Sequence, residues 1–178
     1  MTLEWLDSIR TTTPETTIAF RLLLAAALGA AIGFEREQKN RDAGLRTHML
    51  TALASAVFTV ITFELFHEVQ AASEKGSADP IRVIEAVTAG VAFLAAGAII
   101  QSKGTVKGLT TGAAMWLAGA IGVSCGAGYY SIAVMATVFA LVILSLIGSW
   151  QAALQKNAPL AADAPHIDAP QSKSGRDT

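Results

Sequence analysis

Five stretches of this chain are long and apolar enough to sit in a lipid bilayer, and that restricts the folds open to it. They run over Thr17–Phe34, Thr47–Phe66, Ile81–Gln101, Gly108–Cys125 and Tyr130–Gly148. A hydrocarbon core about 30 Å thick takes roughly 20 apolar residues at 1.5 Å rise each. Without water at that depth, each segment must satisfy its own backbone amides, so the segments read as helices. The expected fold is all-α, a polytopic membrane protein with about five transmembrane helices. Composition agrees, since only 15% of residues are charged where a soluble domain has about 25%.

The chain divides on this reading into a periplasmic N-terminal segment (1–16), a transmembrane domain (17–148) and a disordered cytoplasmic tail (149–178). The tail is rich in Ala, Pro, Asp and Ser and has no hydrophobic period. The start is acidic, with Glu4, Asp7 and Glu15 against Arg10, and the apolar run after it is too long for a signal peptide. Leu3, Trp5, Leu6 and Ile9 suit a short helical turn on the membrane surface. Thr13-Pro14 reads as a cap followed by proline at the first helical position. Arg36, Lys39, Arg41, Arg46, Lys103, Lys107 and three tail residues fall on one side, against Arg10 and Lys75 on the other. Lys and Arg concentrate on the cytoplasmic side, so the N-terminus is expected outside and the C-terminus in the cytoplasm.

Helices in lipid associate through close packing, because acyl chains solvate Leu as well as another helix does. Ala25, Gly29 and Gly33 form a small-residue stripe on the first span, and Ala114, Ala118, Gly122 and Gly126 one on the fourth. Ala92 and Ala96, or Ala89 and Gly97, offer a similar face on the third. The expectation is a tight core of spans one, three and four, with span five outside. A homo-oligomer through span one or four is the sharper alternative.

Ionisable groups inside spans are costly and mark candidate sites. Arg21 and Glu85 each lie about four residues into a span from the outer side, roughly 6 Å deep. Together with Glu64, Asp79 and Arg82 they define an outer charge cluster, in which an Arg21–Glu85 pair is the leading expectation. Such a cluster either fixes helix register or binds a cation or proton. A second cluster is cytoplasmic: Glu35, Arg36, Gly44, Arg46, Thr47 and His48, with Lys107, Gly108, Thr110 and Thr111 across the first and third loops. Gly33, Gly44, Gly104 and Gly108 allow tight turns there, and a helix N-terminus at Thr110 and Thr111 favours an anion.

Known catalytic patterns are missing from the sequence. GTVKGLTT lacks the order of a nucleotide P-loop, and His48, His67 and His166 show no metal-ligand spacing. Cys125 stands alone in a small-residue helix end. The expectation is a protein that is not an enzyme, needs no cofactor and binds no nucleic acid; a metal is left open.

Over about residues 18–131 the chain resembles the MgtC/SapB family of bacterial inner-membrane proteins. The resemblance rests on RLLLAAALGAAIGFERE from Arg21, AGLRTHML from Ala43, DPIR from Asp79, AGVAFLAAGAII from Ala89 and VKGLTTGAAMWLAGAIGVSCGAG from Val106. The family pattern has glycine where this chain has Ala92 and Ala95. Several members also carry a C-terminal soluble domain where this chain has its polar tail. The resemblance implies a five-helix, multi-pass protein of the inner membrane, tied to magnesium homeostasis, stress response and, in some pathogens, virulence. It implies action on another membrane complex, such as the F-type ATP synthase. The alternative is a small cation or proton transporter with Arg21, Glu64 and Glu85 along a polar path.

Overall fold

A computed structural model describes residues 11–72, 79, 81–102 and 105–147. The expected surface turn before Thr11 and the tail after 148 lie outside these residues, as do Lys75 and Lys103. Each of the five apolar stretches forms a helix: α1 (Glu15–Gln38), α2 (Leu45–Ala72), α3 (Ile81–Gly97), α4 (Leu109–Gly126) and α5 (Tyr130–Val142), the last continued by a π turn (Ile143–Ile147). The chain is an all-α polytopic membrane protein. Three helices, α1, α2 and α4, are long and apolar enough to cross a membrane by length and composition, and Tyr130–Leu146 is a shorter apolar helix.

Pro14 opens α1 with φ −54° and ψ 133°, and its carbonyl accepts the amides of Thr17 (2.9 Å) and Ile18 (3.1 Å). Proline thus occupies the cap position itself, and Thr13 does not cap. The extended ψ lets the Pro14 carbonyl reach those amides while its missing N–H costs nothing there. The third span ends at Gly97 and not at Gln101. Beyond it β1 (Ile100–Ser102) pairs antiparallel with β2 (Thr105–Lys107), with Ile100 opposite Lys107 and Ser102 opposite Thr105. The β-branched residues Ile99, Ile100, Thr105 and Val106 favour extended backbone, and Gly97 releases the helix.

Two corners are closed in the same way. After α1, Arg41 N–H bonds Arg36 O (3.1 Å) and Asn40 N–H bonds Glu37 O (3.0 Å), with Asn40 at φ 49°. After α4, Tyr129 N–H bonds Ser124 O (2.8 Å) and Gly128 N–H bonds Cys125 O (3.1 Å), with Gly128 at φ 87°. These are Schellman motifs, which need a left-handed residue that Asn or Gly supplies most readily.

The core is α1, α2 and α4, so span two and not span three stands at its centre. A Cβ on Gly29 of α1 would lie 2.9 Å from Ala52 Cβ, and one on Gly33 would lie 2.7 Å from Leu45 Cα. On the other flank, a Cβ on Gly122 would collide with the Ala52 carbonyl, and one on Gly126 would come within 2.6 Å of Ala56 O. Between these contacts Ala25, Ile32, Ala52, Ala56, Ala118, Ile121 and Cys125 are buried. α2 wins this place because Ala52, Ser55, Ala56 and Thr59 are small enough to let neighbouring backbones touch it. Thr51, Ser55 and Thr59 are buried, and each hydroxyl donates to the carbonyl four residues back, at 2.8, 2.9 and 2.7 Å. Their polarity is spent within the helix.

α3 is peripheral. It buries Val91 and Ala95, where Gly119 and Gly112 of α4 receive them. Ala89, Ala92 and Ala96 are exposed, and Gly97 has open space around its Cβ position. Gly97 therefore makes no packing contact, because the face that carries it turns away from α4. Between α2 and α3 an apolar groove of about 400 Å³ is lined by Phe58, Val83, Val87, Gly90 and Leu94 among others.

Substituting Gly122→Val should cost about 1–3 kcal/mol by overpacking, whereas Gly90→Ala, with nothing near its Cβ position, should hold or raise stability. Thermal unfolding of both variants in detergent measures the contrast.

Candidate functional site

Two polar sites lie at opposite ends of the three-helix core. At the Arg21 end, the expected cluster is not assembled. Arg21 on α1 faces α4 and α5, donating from Nη1 to Gly126 O (2.8 Å) and from Nε to Tyr130 Oη (3.3 Å). A guanidinium at the C-terminus of α4 meets the negative end of that helix and its unused carbonyls, so no carboxylate is required. Glu85 lies exposed on peripheral α3, whose packing is mainly on α4 and α2. The Arg21–Glu85 pair is absent for that reason. Arg82 is also exposed, and Asp79 accepts the Ile81 amide at 2.9 Å, capping α3. Glu64 does something else again. Its carboxylate accepts Thr12 N–H and Thr12 Oγ1 (both 2.6 Å) and Thr13 N–H (3.1 Å), clamping the approach to α1 against α2.

At the other end, the last turn of α1, the first turns of α2 and α4, and the π turn after α5 converge. The Schellman corner at Asn40 folds α2 back so closely that Gly44 and Leu45 touch Gly33. This brings Glu35 (9% exposed), Arg36 (3%), His48 (0%) and Thr111 (3%) into one buried group. Arg36 Nη2 donates to Thr111 Oγ1 at 3.2 Å, and its Nη1 stands 4.0 Å from Glu35 Oε2. Lys39 Nζ lies 2.5 Å from Glu35 Oε1, an ion pair outside hydrogen-bond geometry, and donates to Leu144 O in the π turn at 2.7 Å. His48 Nδ1 lies 2.9 Å from Gly44 O. A carbonyl can only accept, which assigns the ring proton to Nδ1 and leaves Nε2 a lone pair. Four buried polar atoms have no hydrogen-bond partner among the described residues: Glu35 Oε1 and Oε2, Arg36 Nε and His48 Nε2.

The remaining members stand around this group. Arg46, Lys107 and Thr110 are exposed at its rim, and Thr47 is half-buried. Gly44 leaves room for Glu37, whose Oε2 accepts the Leu45 amide at 2.8 Å and so caps α2. Gly108 precedes α4 at φ 84°. Glu37, Lys39, Tyr130 and the Thr51–Ser55–Thr59 ladder were not among the expected site residues. The four-residue spacing of Thr51, Ser55 and Thr59 was visible in the sequence; the reach of Lys39 to a π-turn carbonyl was not. No group of three or more His, Cys, Asp or Glu side chains arranged to hold a metal occurs among the described residues.

These features define a small helical membrane protein with a glycine-sealed core and a buried charged group at one end. A sequence model of the MgtC family matches residues 22–152. The chain belongs to the MgtC family. It is 38% identical over 126 residues to a protein of Escherichia coli K12 named putative magnesium transporter YhiD, covering 71% of this chain and 58% of that one. It is 40% identical over 123 residues to Protein MgtC of Brucella abortus, covering 69% and 48%. An uncharacterised protein of Haemophilus influenzae is 38% identical over 135 residues, covering 75% and 57%. The chain thus spans about half the length of the curated relatives it matches. No solved structure matches it.

Replacing Arg21 by Gln should cost about 1.5–3 kcal/mol, the range for a charge-assisted hydrogen bond, and Glu85→Gln almost nothing. The double variant should equal their sum within about 0.5 kcal/mol, as uncoupled sites do; larger coupling in a double-mutant cycle would restore the pair. Glu64→Ala should speed hydrogen exchange at the Thr12 and Thr13 amides and leave the Arg36 end unchanged.

Proposed function

We propose that this chain is a non-enzymatic protein of the bacterial inner membrane, linked to magnesium, that acts by binding and regulating another membrane complex. The observation that carries this reading is the outward face of α3. The small-residue stripes of α1 and α4 are used inside the chain, while Gly90 and Gly97 on α3 have nothing near their Cβ positions. Small residues open to the lipid let a foreign helix approach closely, and the adjoining apolar groove lengthens the contact. The link to magnesium comes from the name given to the E. coli relative. The F-type ATP synthase is the complex that the family resemblance names, and a stress or virulence role has the same basis. The Lys and Arg asymmetry supports an N-terminus outside and a C-terminus in the cytoplasm.

The same packing speaks against the rival reading of a cation or proton carrier. Along the α2–α4 seam, a path between the Arg21 and Arg36 ends would meet Gly122 and Gly126 where they rest on α2 carbonyls. Glu85 lies off that line altogether.

Purified protein in liposomes is expected to carry no cation or proton flux. Copurification from native membranes at low and high magnesium should recover a membrane complex, and Gly90→Leu should release it without lowering the folded yield. Flux in liposomes that Glu85→Gln or Arg36→Gln abolishes would establish the carrier instead.

A further inference from the structure

The first turn of α4 has no role in the reading above, and its chemistry is incomplete. Gly108 stands before it in the left-handed region (φ 84°) and provides no side-chain cap. The Gly108 carbonyl accepts the Gly112 amide at 2.8 Å. Among the described residues, the amides of Leu109, Thr110 and Thr111 have no acceptor. An 18-residue helix presents about half a positive charge at such an end, and an acceptor side chain or an anion ordinarily answers it.

The charged side chain that bonds this turn is itself a cation. Arg36 is 3% exposed, reaches Thr111 Oγ1 at 3.2 Å, and keeps an unpartnered Nε. Glu35 balances it only at the limit of ion-pair distance. Its Oε2 is 4.0 Å from Arg36 Nη1, whereas its Oε1 is held 2.5 Å from Lys39 Nζ. A guanidinium therefore stands against the first turn of a helix in a medium of low dielectric, where like charges repel strongly. An anion that both can reach removes the conflict.

We propose that the first turn of α4 together with Arg36 is a binding site for a phosphate group. Backbone amides of Leu109, Thr110 and Thr111 cradle it, Arg36 lies beneath as counter-charge, and Lys107 and Thr110 stand exposed at the mouth. Three amides, two threonine hydroxyls, a guanidinium and an ammonium are more donors than the two oxygens of a carboxylate can use. A tetrahedral oxyanion has enough oxygens for them. The turn lies at the end of a membrane-spanning helix, the level of lipid phosphates, so a phospholipid headgroup and free phosphate present the same chemistry. The site stands apart from the α3 surface of the proposed function.

The test uses the full chain in maltoside micelles, which contain no phosphate. One arm titrates inorganic phosphate by calorimetry at constant ionic strength, with chloride as control; the other adds dioleoyl phosphatidic acid to the micelles. Saturable binding in either arm is expected, and the arm that binds identifies the source. Arg36→Gln should weaken binding tenfold or more, and the exposed pair Lys107→Gln with Thr110→Val severalfold. Should Arg36→Gln fail to fold, the double variant decides. No saturable binding in either arm, an equal response to chloride, or wild-type affinity in a folded Arg36→Gln or in the double variant would overturn the proposal.

Discussion

The contact on which this molecule depends is glycine against carbonyl. In lipid there is no hydrophobic gain in pressing one apolar helix against another, so association rests on dispersion at short range and on the few polar contacts available. Gly29 and Gly33 bring α1 onto α2, and Gly122 and Gly126 bring α4 onto the other side of α2. The hydroxyls of Thr51, Ser55 and Thr59 lie in the same face, yet each is turned back onto its own helix. α2 is thus narrow without being smooth, and two neighbours can reach its backbone at once. The ionisable groups of the core are displaced to its two ends as a result.

Each end resolves its charge differently. Arg21 is satisfied by a carbonyl and a phenol at the close of α4, where the helix dipole supplies the negative partner. At the far end Glu35 and Lys39 form the pair, and Lys39 also ties the end of α1 to the π turn beyond α5. Arg36 is left with a hydroxyl and a distant carboxylate. Buried ions are tolerated when they are paired and hydrogen-bonded, and by that standard this end is the unfinished part of the structure.

Much of this was readable from the residues, and the misses share a cause. The five helices follow from apolar run length, and the nearness of the first and third loops groups the motif residues Glu35, Arg36, His48 and Thr111. Which span takes the centre was not readable, because Ala and Gly counts mark α3 as small without saying where its small face points. For Arg21 the sequence offers a carboxylate at equal depth, because sequence reveals depth but not azimuth. On a helix a partner at the right level can be on the wrong side. Helix-end carbonyls are invisible to any argument that considers side chains alone, and they are what Arg21 found. The shortening of the third span reflects a similar limit: Ile99 and Ile100 are apolar enough for a membrane helix and equally suited to a hairpin.

The helices also differ in length. At 1.5 Å per residue the 28 residues of α2 extend about 42 Å, while the 18 residues of its packed neighbour α4 extend about 27 Å. The excess lies beyond Phe66, where His67, Glu68 and Gln70 are exposed, while the apolar part of α2, Thr47–Phe66, is close to α4 in length. The six residues from His67 to Ala72 add roughly 9 Å, so α2 stands clear of the hydrocarbon as a polar post on the side where Glu64 receives the approach to α1.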